Sequence, residues 1–253
     1  MKFGLIELDG QSVLSVAQQK WLVPLVMAPI GLTFVRGWSV EGLHGPVHRL
    51  VHDALSGAVP RSAWLDPAEA VFLPPVPDCR TVIAIGLNYA SHCAEQGKKT
   101  PLAPMFFAKL PSCLAAHWQP VIRWPVTSQL DFEGELAVVI GRGGRAIPES
   151  EALSRVFGYS VFNDVTARDL QRADRQWVRG KSLDTFGPMG PLMTTAEDVP
   201  DPQNLHLQTR VNDEIRQDAC TSEMAFSVAR MVAHVSEAIT LCPGDIITTG
   251  TPA

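Results

Sequence analysis

The stretch 130–141, reading LDFEGELAVVIG, constrains the fold more than any other part of the chain. Asp131, Glu133 and Glu135 occur at every second position, so on a β-strand all three carboxylates leave one face. The run 136–140 that follows is apolar and rich in β-branched residues, the composition of a buried strand that ordinarily carries no charge. Acidic groups are thereby delivered to the edge of a core. Aligned carboxylates repel one another and are costly to bury without a neutralising cation, which points to a hard divalent metal. The same pattern also describes a solvated strand end whose acids face water.

A chain of 253 residues forms one large or two small domains with an ample core. Its net charge of -5 argues against a nucleic-acid backbone or an anionic membrane as the main partner. The opening MKFGLIELDG lacks an apolar core of signal-peptide length, and the apolar stretch 21–35 is too short and too interrupted by Pro and Gly to span a bilayer. Cys79, Cys93, Cys113, Cys220 and Cys242 are odd in number and form no C-x-x-C pair, so they read as reduced thiols of a cytoplasmic protein.

Residues 1–75 read as a small N-terminal domain of short β-like pieces (2–8, 11–16, 32–35), and the Pro-rich connector 73–77 marks its boundary with a second domain, 76–253. His44, His48 and His52 stand at helical spacing in the first unit. Pro46 suits a helix first turn and leaves His44 outside it, so exposed or core-edge histidines are favoured over a metal site.

Beyond the connector, 81–87 (TVIAIGL) reads as a buried strand, and a short helix after it sets His92 and Glu95 three apart on one face. A carboxylate so placed orients an imidazole and raises its basicity, as a water-activating base requires, although surface pairs share the spacing. Lys109 lies within a strand, PMFFAKL, where a lysine either snorkels or meets an anionic ligand. Asp164, Arg168 and Gln171 fall on a single helical face, an arrangement that solvent-facing pairs also show. Residues 205–216 around Asn212-Asp213 read as a β-hairpin. Met224, Val228, Met231, Val232, Val235 and Ile239 form the stripe of an amphipathic helix within 221–240, and the chain closes with a turn and the strand 246–249.

Six pieces together resemble the fumarylacetoacetate hydrolase family: GLNYASHCAE (86–95), FAK (107–109), DFEGELAVVIG (131–141), GYSVFNDVTARDLQ (158–171), RGKSLDTFGPMGP (179–191) and PGDIITTGTPA (243–253). They occur in the family's order and cover nearly everything after residue 80. The resemblance implies a mixed, β-rich α+β fold, a β-roll or barrel with flanking helices, preceded by the small N-terminal domain and lacking its final strand. It implies a homodimer and a divalent cation, Mg²⁺ or Mn²⁺, held by Glu133, Glu135 and Asp164, which removes Asp131 from the ligands.

The substrate class so implied is a 2-oxo acid, of β-diketo or hydroxymuconate type, from the breakdown of aromatic compounds. Chelation polarises its oxo group, and charge is stored as a metal-bound enolate; C–C hydrolysis, decarboxylation and enol–keto isomerisation differ only in the group that leaves. His92, oriented by Glu95, is assigned the activation of water, and Lys181 the stabilisation of enolate or oxyanion. Arg168 and Gln171 are assigned to the distal part of the substrate, Lys109 and Thr251 to its carboxylate. The sequence departs from the family after Gly250-Thr251-Pro252, where a further strand is normally found, and at Trp118, which replaces a small turn. A metal- and 2-oxo-acid-binding paralogue with impaired turnover is the alternative reading.

Overall fold

The computed structural model describes residues 1–25, 48–76 and 78–253, with the backbone alone for 48–50. The expected strand at 32–35, His44 and Pro77 lie outside the described residues, as does the side chain of His48. His52 is exposed, its Nδ1 3.4 Å from Asp53 Oδ1.

Three strands open the chain, β1 (Lys2–Leu8), β2 (Gln11–Gln18) and β3 (Trp21–Pro24), in an antiparallel meander. Asp9 and Gly10 take φ of 50° and 73° between β1 and β2, the left-handed pair that matches strand twist in a two-residue hairpin. Next come α1 (His48–Asp53), β4 (Val71–Leu73), β5 (Val82–Gly86), α2 (Ala90–Glu95), β6 (Met105–Lys109), β7 (Leu114–Ala115), β8 (Leu130–Asp131) and β9 (Gly134–Ile140). The rest comprises α3 (Glu149–Ala152), β10 (Val156–Asn163), β11 (Thr166–Ala167), α4 (Arg168–Ala173), α5 (Val178–Lys181), β12 (Gly187–Pro188), β13 (Met193–Thr195), β14 (His206–Val211), β15 (Glu214–Cys220), α6 (Val228–Ala238) and β16 (Ile246–Thr248).

Ten strands build one sheet, in the order β3-β2-β1-β13-β10-β9-β16-β5-β6 with β4 paired to β1. Its pairing is mixed, since β16 runs parallel to β5 and antiparallel to β9. The β-rich fold with flanking helices is thus present, as a large open sheet and not a closed barrel. β1 joins β13 through Lys2↔Thr194 and Phe3↔Met193, so the N-terminal meander extends the sheet that carries β9.

The central strand explains its own composition. Ala137 and Val139 pack into a core with Phe3, Phe157 and Phe162, while Leu136, Val138 and Ile140 face a second core with Ile83, Ile85 and Ile247. Both faces are covered, so the run is apolar without alternation. Val138, Val139 and Ile140 are fully buried, each stabilising the fold by roughly 1.5–3 kcal/mol. Helix α6 closes the second face with Val228, Met231, Val232 and Val235. It is shorter than the apolar stripe suggested, because residues 221–223 form a separate 3₁₀ turn and Ser227 is the cap, its Oγ accepting the Arg230 N–H at 3.1 Å. No helix among the described residues is long and apolar enough to cross a membrane.

Candidate active site

Antiparallel pairing of β9 with β10 assembles the acids. Gly134 lies opposite Asn163, so the residue before β9, Glu133, and the residue after β10, Asp164, emerge at the same end of the pair. Two bonds lock them: the Asp164 N–H donates to the Glu133 carbonyl at 2.8 Å, and the Glu133 N–H to Asn163 Oδ1 at 3.0 Å. Glu135 lies one step inside the strand. The three side chains are buried, and one oxygen from each falls within 4.8 Å of the others.

Two ammonium groups enter the cluster. Lys181, at the end of α5, donates to Glu133 Oε2 at 2.8 Å and to Asp164 Oδ2 at 2.7 Å. Lys109 donates to Asp164 Oδ1 at 2.6 Å and to the Lys181 carbonyl. Arg168 spans Asp131 Oδ2 (2.8 Å, from Nε) and Glu133 Oε1 (2.6 Å, from Nη1), and its Nη1 also donates to Gln171 Oε1 at 3.1 Å. Asp131 therefore partners Arg168 and stands outside the triad.

The expected Asp164–Arg168 helical pair does not form. β11 intervenes, α4 begins only at Arg168, and Asp164 sits on the turn before it, where the two lysines engage it.

Among the described residues, four carboxylates, counting Asp131, thus face three cations, and the deficit falls on Glu135. Its Oε2 accepts the Gly250 N–H at 2.8 Å, but its buried Oε1 has no hydrogen-bond partner among the described residues. Burial, reinforced by Asp164 and Glu133, pushes its carboxyl well above the usual range. Burial acts on Glu133 in the same sense, but Lys181 and Arg168 outweigh it and hold that carboxyl low. Burial disfavours the charged Lys181, and Asp164 and Glu133 more than offset this, raising it. An all-oxygen, net-anionic donor set with one unpaired carboxylate oxygen fits a hard divalent cation. Glu133, Glu135 and Asp164 are the residues that would hold it.

Beside the triad, Glu133, Lys181, His92, Gln171 and Thr251 line a narrow inner cavity of about 20 Å³, with Gln96 and Trp177 also in its wall. Lys109 lies behind Asp164 and does not line it. His92 is buried on α2, Nδ1 3.2 Å from Glu95 Oε2 and Nε2 2.6 Å from Gln96 Nε2. A carboxylate accepts and an amide nitrogen donates, so His92 carries its proton on Nδ1 and a lone pair on Nε2, the form required of a base. Lys98 donates to Gln96 Oε1 at 2.8 Å, which agrees with that orientation of the amide.

No charge, motif or metal-ligand spacing in the sequence singles out Gln217 on β15 or Gln96. Buried Gln217 accepts the Gly134 N–H at 2.9 Å and donates to Thr251 Oγ1 at 2.7 Å and the Pro252 carbonyl at 2.8 Å. Thr251 in turn donates to the Gly134 carbonyl at 2.9 Å. In β15, Gln217 and Ala219 are buried on one face while Arg216 and Asp218 are exposed on the other.

Residues 81–253 match the family model described as the fumarylacetoacetate (FAA) hydrolase C-terminal domain. An oxaloacetate tautomerase of Bacillus subtilis is 45% identical over 183 residues, 71% of this chain and 61% of that protein. A mitochondrial oxaloacetate tautomerase of Bos taurus is 43% identical over 187 residues, 73% of this chain and 60% of that protein. The match therefore spans about three fifths of these relatives' length. A maleylpyruvate hydrolase of Sphingobium sp. SYK-6, solved with manganese(II) and pyruvate, superposes with a TM-score of 0.79 at 30% identity, covering 100% of this chain and 89% of that one.

Proposed function

The chain belongs to the fumarylacetoacetate hydrolase family, and from that premise we propose that it is a divalent-metal-dependent enzyme that interconverts the keto and enol forms of a 2-oxo acid. The observation that carries the proposal is the buried triad in which one oxygen of the Glu135 carboxylate has no hydrogen-bond partner among the described residues. A cation held there supplies Lewis acidity toward a chelating 2-oxo acid and eases loss of a proton from its adjacent carbon.

The chain's own residues supply the remainder. Lys181 places an ammonium on the cavity wall, held between Glu133 and Asp164, where negative charge developing on the substrate is stabilised. His92 presents the Nε2 lone pair that accepts a proton once the Gln96 amide yields it, and Glu95 holds the Nδ1–H and so fixes the orientation of the ring. Gln171, its carbonyl occupied by Arg168, keeps its amide N–H donors for the substrate. Hydrolysis or decarboxylation of β-diketo and hydroxymuconate-type acids needs the same stabilised carbanion, which keeps those acids within the proposed substrate class.

Decay of the enol absorbance of oxaloacetate, followed with chelated protein and again after Mg²⁺ or Mn²⁺, tests the reading. Acceleration only with metal is expected. Oxalate binding by calorimetry without turnover of any 2-oxo acid would instead identify a binding paralogue and overturn it.

A further inference from the structure

The inner cavity, at about 20 Å³, has room for a water molecule and for no 2-oxo acid, whereas the space outside it measures about 580 Å³. His92, Gln96, Gln171 and Trp177 line both and so form the partition between them. For a substrate to reach Lys181 and the triad, part of this partition must move.

Three of the four residues are held in place. The Trp177 ring lies edge to face with Phe107 at 5.1 Å and so close to Gly86 that a Cβ there would stand 3.0 Å from it. Arg168, itself anchored on Asp131 and Glu133, donates to Gln171 Oε1 at 3.1 Å. His92 is buried, its Nδ1 3.2 Å from Glu95 Oε2. Gln96 differs, because it is exposed and follows the last residue of α2. Two hydrogen bonds hold its side chain, one from its Nε2 to His92 Nε2 at 2.6 Å and one from Lys98 Nζ to its Oε1 at 2.8 Å. Exposed side chains change rotamer faster than any other part of a folded chain rearranges.

We propose that Gln96 is a positioning residue that gates the site. In its closed position the amide caps the His92 lone pair and completes the partition. Swung into the outer space, it opens the inner cavity and frees that lone pair in the same movement. This rests on the 2-oxo-acid reading above and deepens it, by making the admission of substrate and the release of the base one event. Lys98 sets the closed position: with its ammonium 5.8 Å from the centre of the Trp177 ring, it donates to Oε1 and thereby turns the amide nitrogen toward His92. While the gate is closed, the lone pair is occupied by the amide and takes no proton from elsewhere.

Diethyl pyrocarbonate acylates the lone-pair nitrogen of a neutral imidazole and so reads the cap with no substrate present. Peptide mass spectrometry of the Mn²⁺-loaded protein gives the rate at His92 relative to exposed His52. In Gln96→Ala the His92 rate is expected to rise about tenfold, the worth of one hydrogen bond, with the His52 rate unchanged. Lys98→Met, which removes only the hold on Oε1, should raise it in the same direction by less. In turnover, kcat/KM for the enol of oxaloacetate should be no lower in Gln96→Ala than in the unaltered protein, because the gate contributes nothing to the open site. An unchanged His92 rate in Gln96→Ala, or a rise accompanied by a fall in kcat/KM, the mark of a loosened helix, would overturn the gate alone. Absence of turnover of any 2-oxo acid by the unaltered, metal-loaded protein would overturn the underlying reading and the admission of substrate with it, a result distinct from any pattern of acylation rates.

Discussion

Gln217 and Gly134 are 83 residues apart, yet the side-chain oxygen of the first accepts the backbone N–H of the second at 2.9 Å, between the two glutamates of the triad. The Gln217 amide nitrogen binds Thr251 and Pro252, and Thr251 returns a bond to Gly134, so one buried side chain fixes both the acidic strand and the cavity wall. A Cβ on Gly134 would collide with Thr209 Oγ1 and press on Gln217 Oε1.

Gln217→Leu leaves the Gly134 N–H unsatisfied, at a cost of about 1–3 kcal/mol. The expected result is a lower melting temperature together with weaker Mn²⁺ binding, read by thermal denaturation and calorimetry. Gln217→Glu keeps the acceptor for Gly134 and loses the donors to Thr251 and Pro252. It should therefore retain more metal affinity than the leucine variant.

Asp169 ties helix α4, which carries Arg168 and Gln171, to the loop before β8. Thr127 Oγ1 donates to it at 2.6 Å, the Ser128 N–H at 2.9 Å and Ser128 Oγ at 3.2 Å, and these bonds draw its carboxyl from 3.8 down to about 2. A depressed folded-state value stabilises fully above the unfolded one and is lost as pH falls through the folded one. Asp169→Asn should thus lower the melting temperature at pH 7, and its deficit relative to the unaltered protein should shrink as the pH is taken from 3.8 toward 2.

His92 lines the inner cavity but supplies no oxygen to the triad. His92→Ala should leave Mn²⁺ affinity near its original value and depress any reaction needing a proton acceptor by about 10²–10⁴-fold. Decarboxylation of oxaloacetate needs no activated water and should survive better than hydrolysis of an acylpyruvate. Parallel assays on the two substrates measure that separation.

Much of this site was legible because its signals are local. The alternation of Glu133 and Glu135 ahead of a buried run, and the three-residue spacing of His92 and Glu95, are properties of short segments, and both carry through to the fold. Asp131 shares that alternation, and only the approach of Arg168 from 37 residues away gives it a different role. Asp164 joins Glu133 and Glu135 only through the family resemblance; its spacing to Arg168 suggests a shared helical face, whereas it stands between β10 and β11, and the pairing of β9 with β10 is what brings it to the two glutamates. Gln217 depends on hairpin β14–β15 folding against Gly134, a contact that no local pattern encodes. Gln96 is an instructive intermediate: it stands one turn from His92, within the i, i+4 spacing that brings helix side chains together, but a glutamine carries no charge to draw notice.

Glu135 yields the sharpest test of the metal centre. Its raised carboxyl means that the folded, metal-stripped protein retains a proton at a pH where the unfolded chain has released it. Stability of the stripped protein should therefore decline as pH rises above the ordinary carboxylate range, up to the folded-state value, because the native state binds more protons than the unfolded one. Glu135→Gln removes this liability and keeps an acceptor for the Gly250 N–H, so in chelator it should be at least as stable as the unaltered protein, with the gap widening toward higher pH. Added Mn²⁺ should reverse the order. A cation at one hundred times its dissociation constant stabilises the protein that binds it by about 2.7 kcal/mol and leaves a variant lacking the third carboxylate nearly unmoved. Melting temperatures of both proteins across pH 5–9, with chelator and with Mn²⁺, measure this crossing, and its absence would show that the Glu135 carboxylate does not hold the ion.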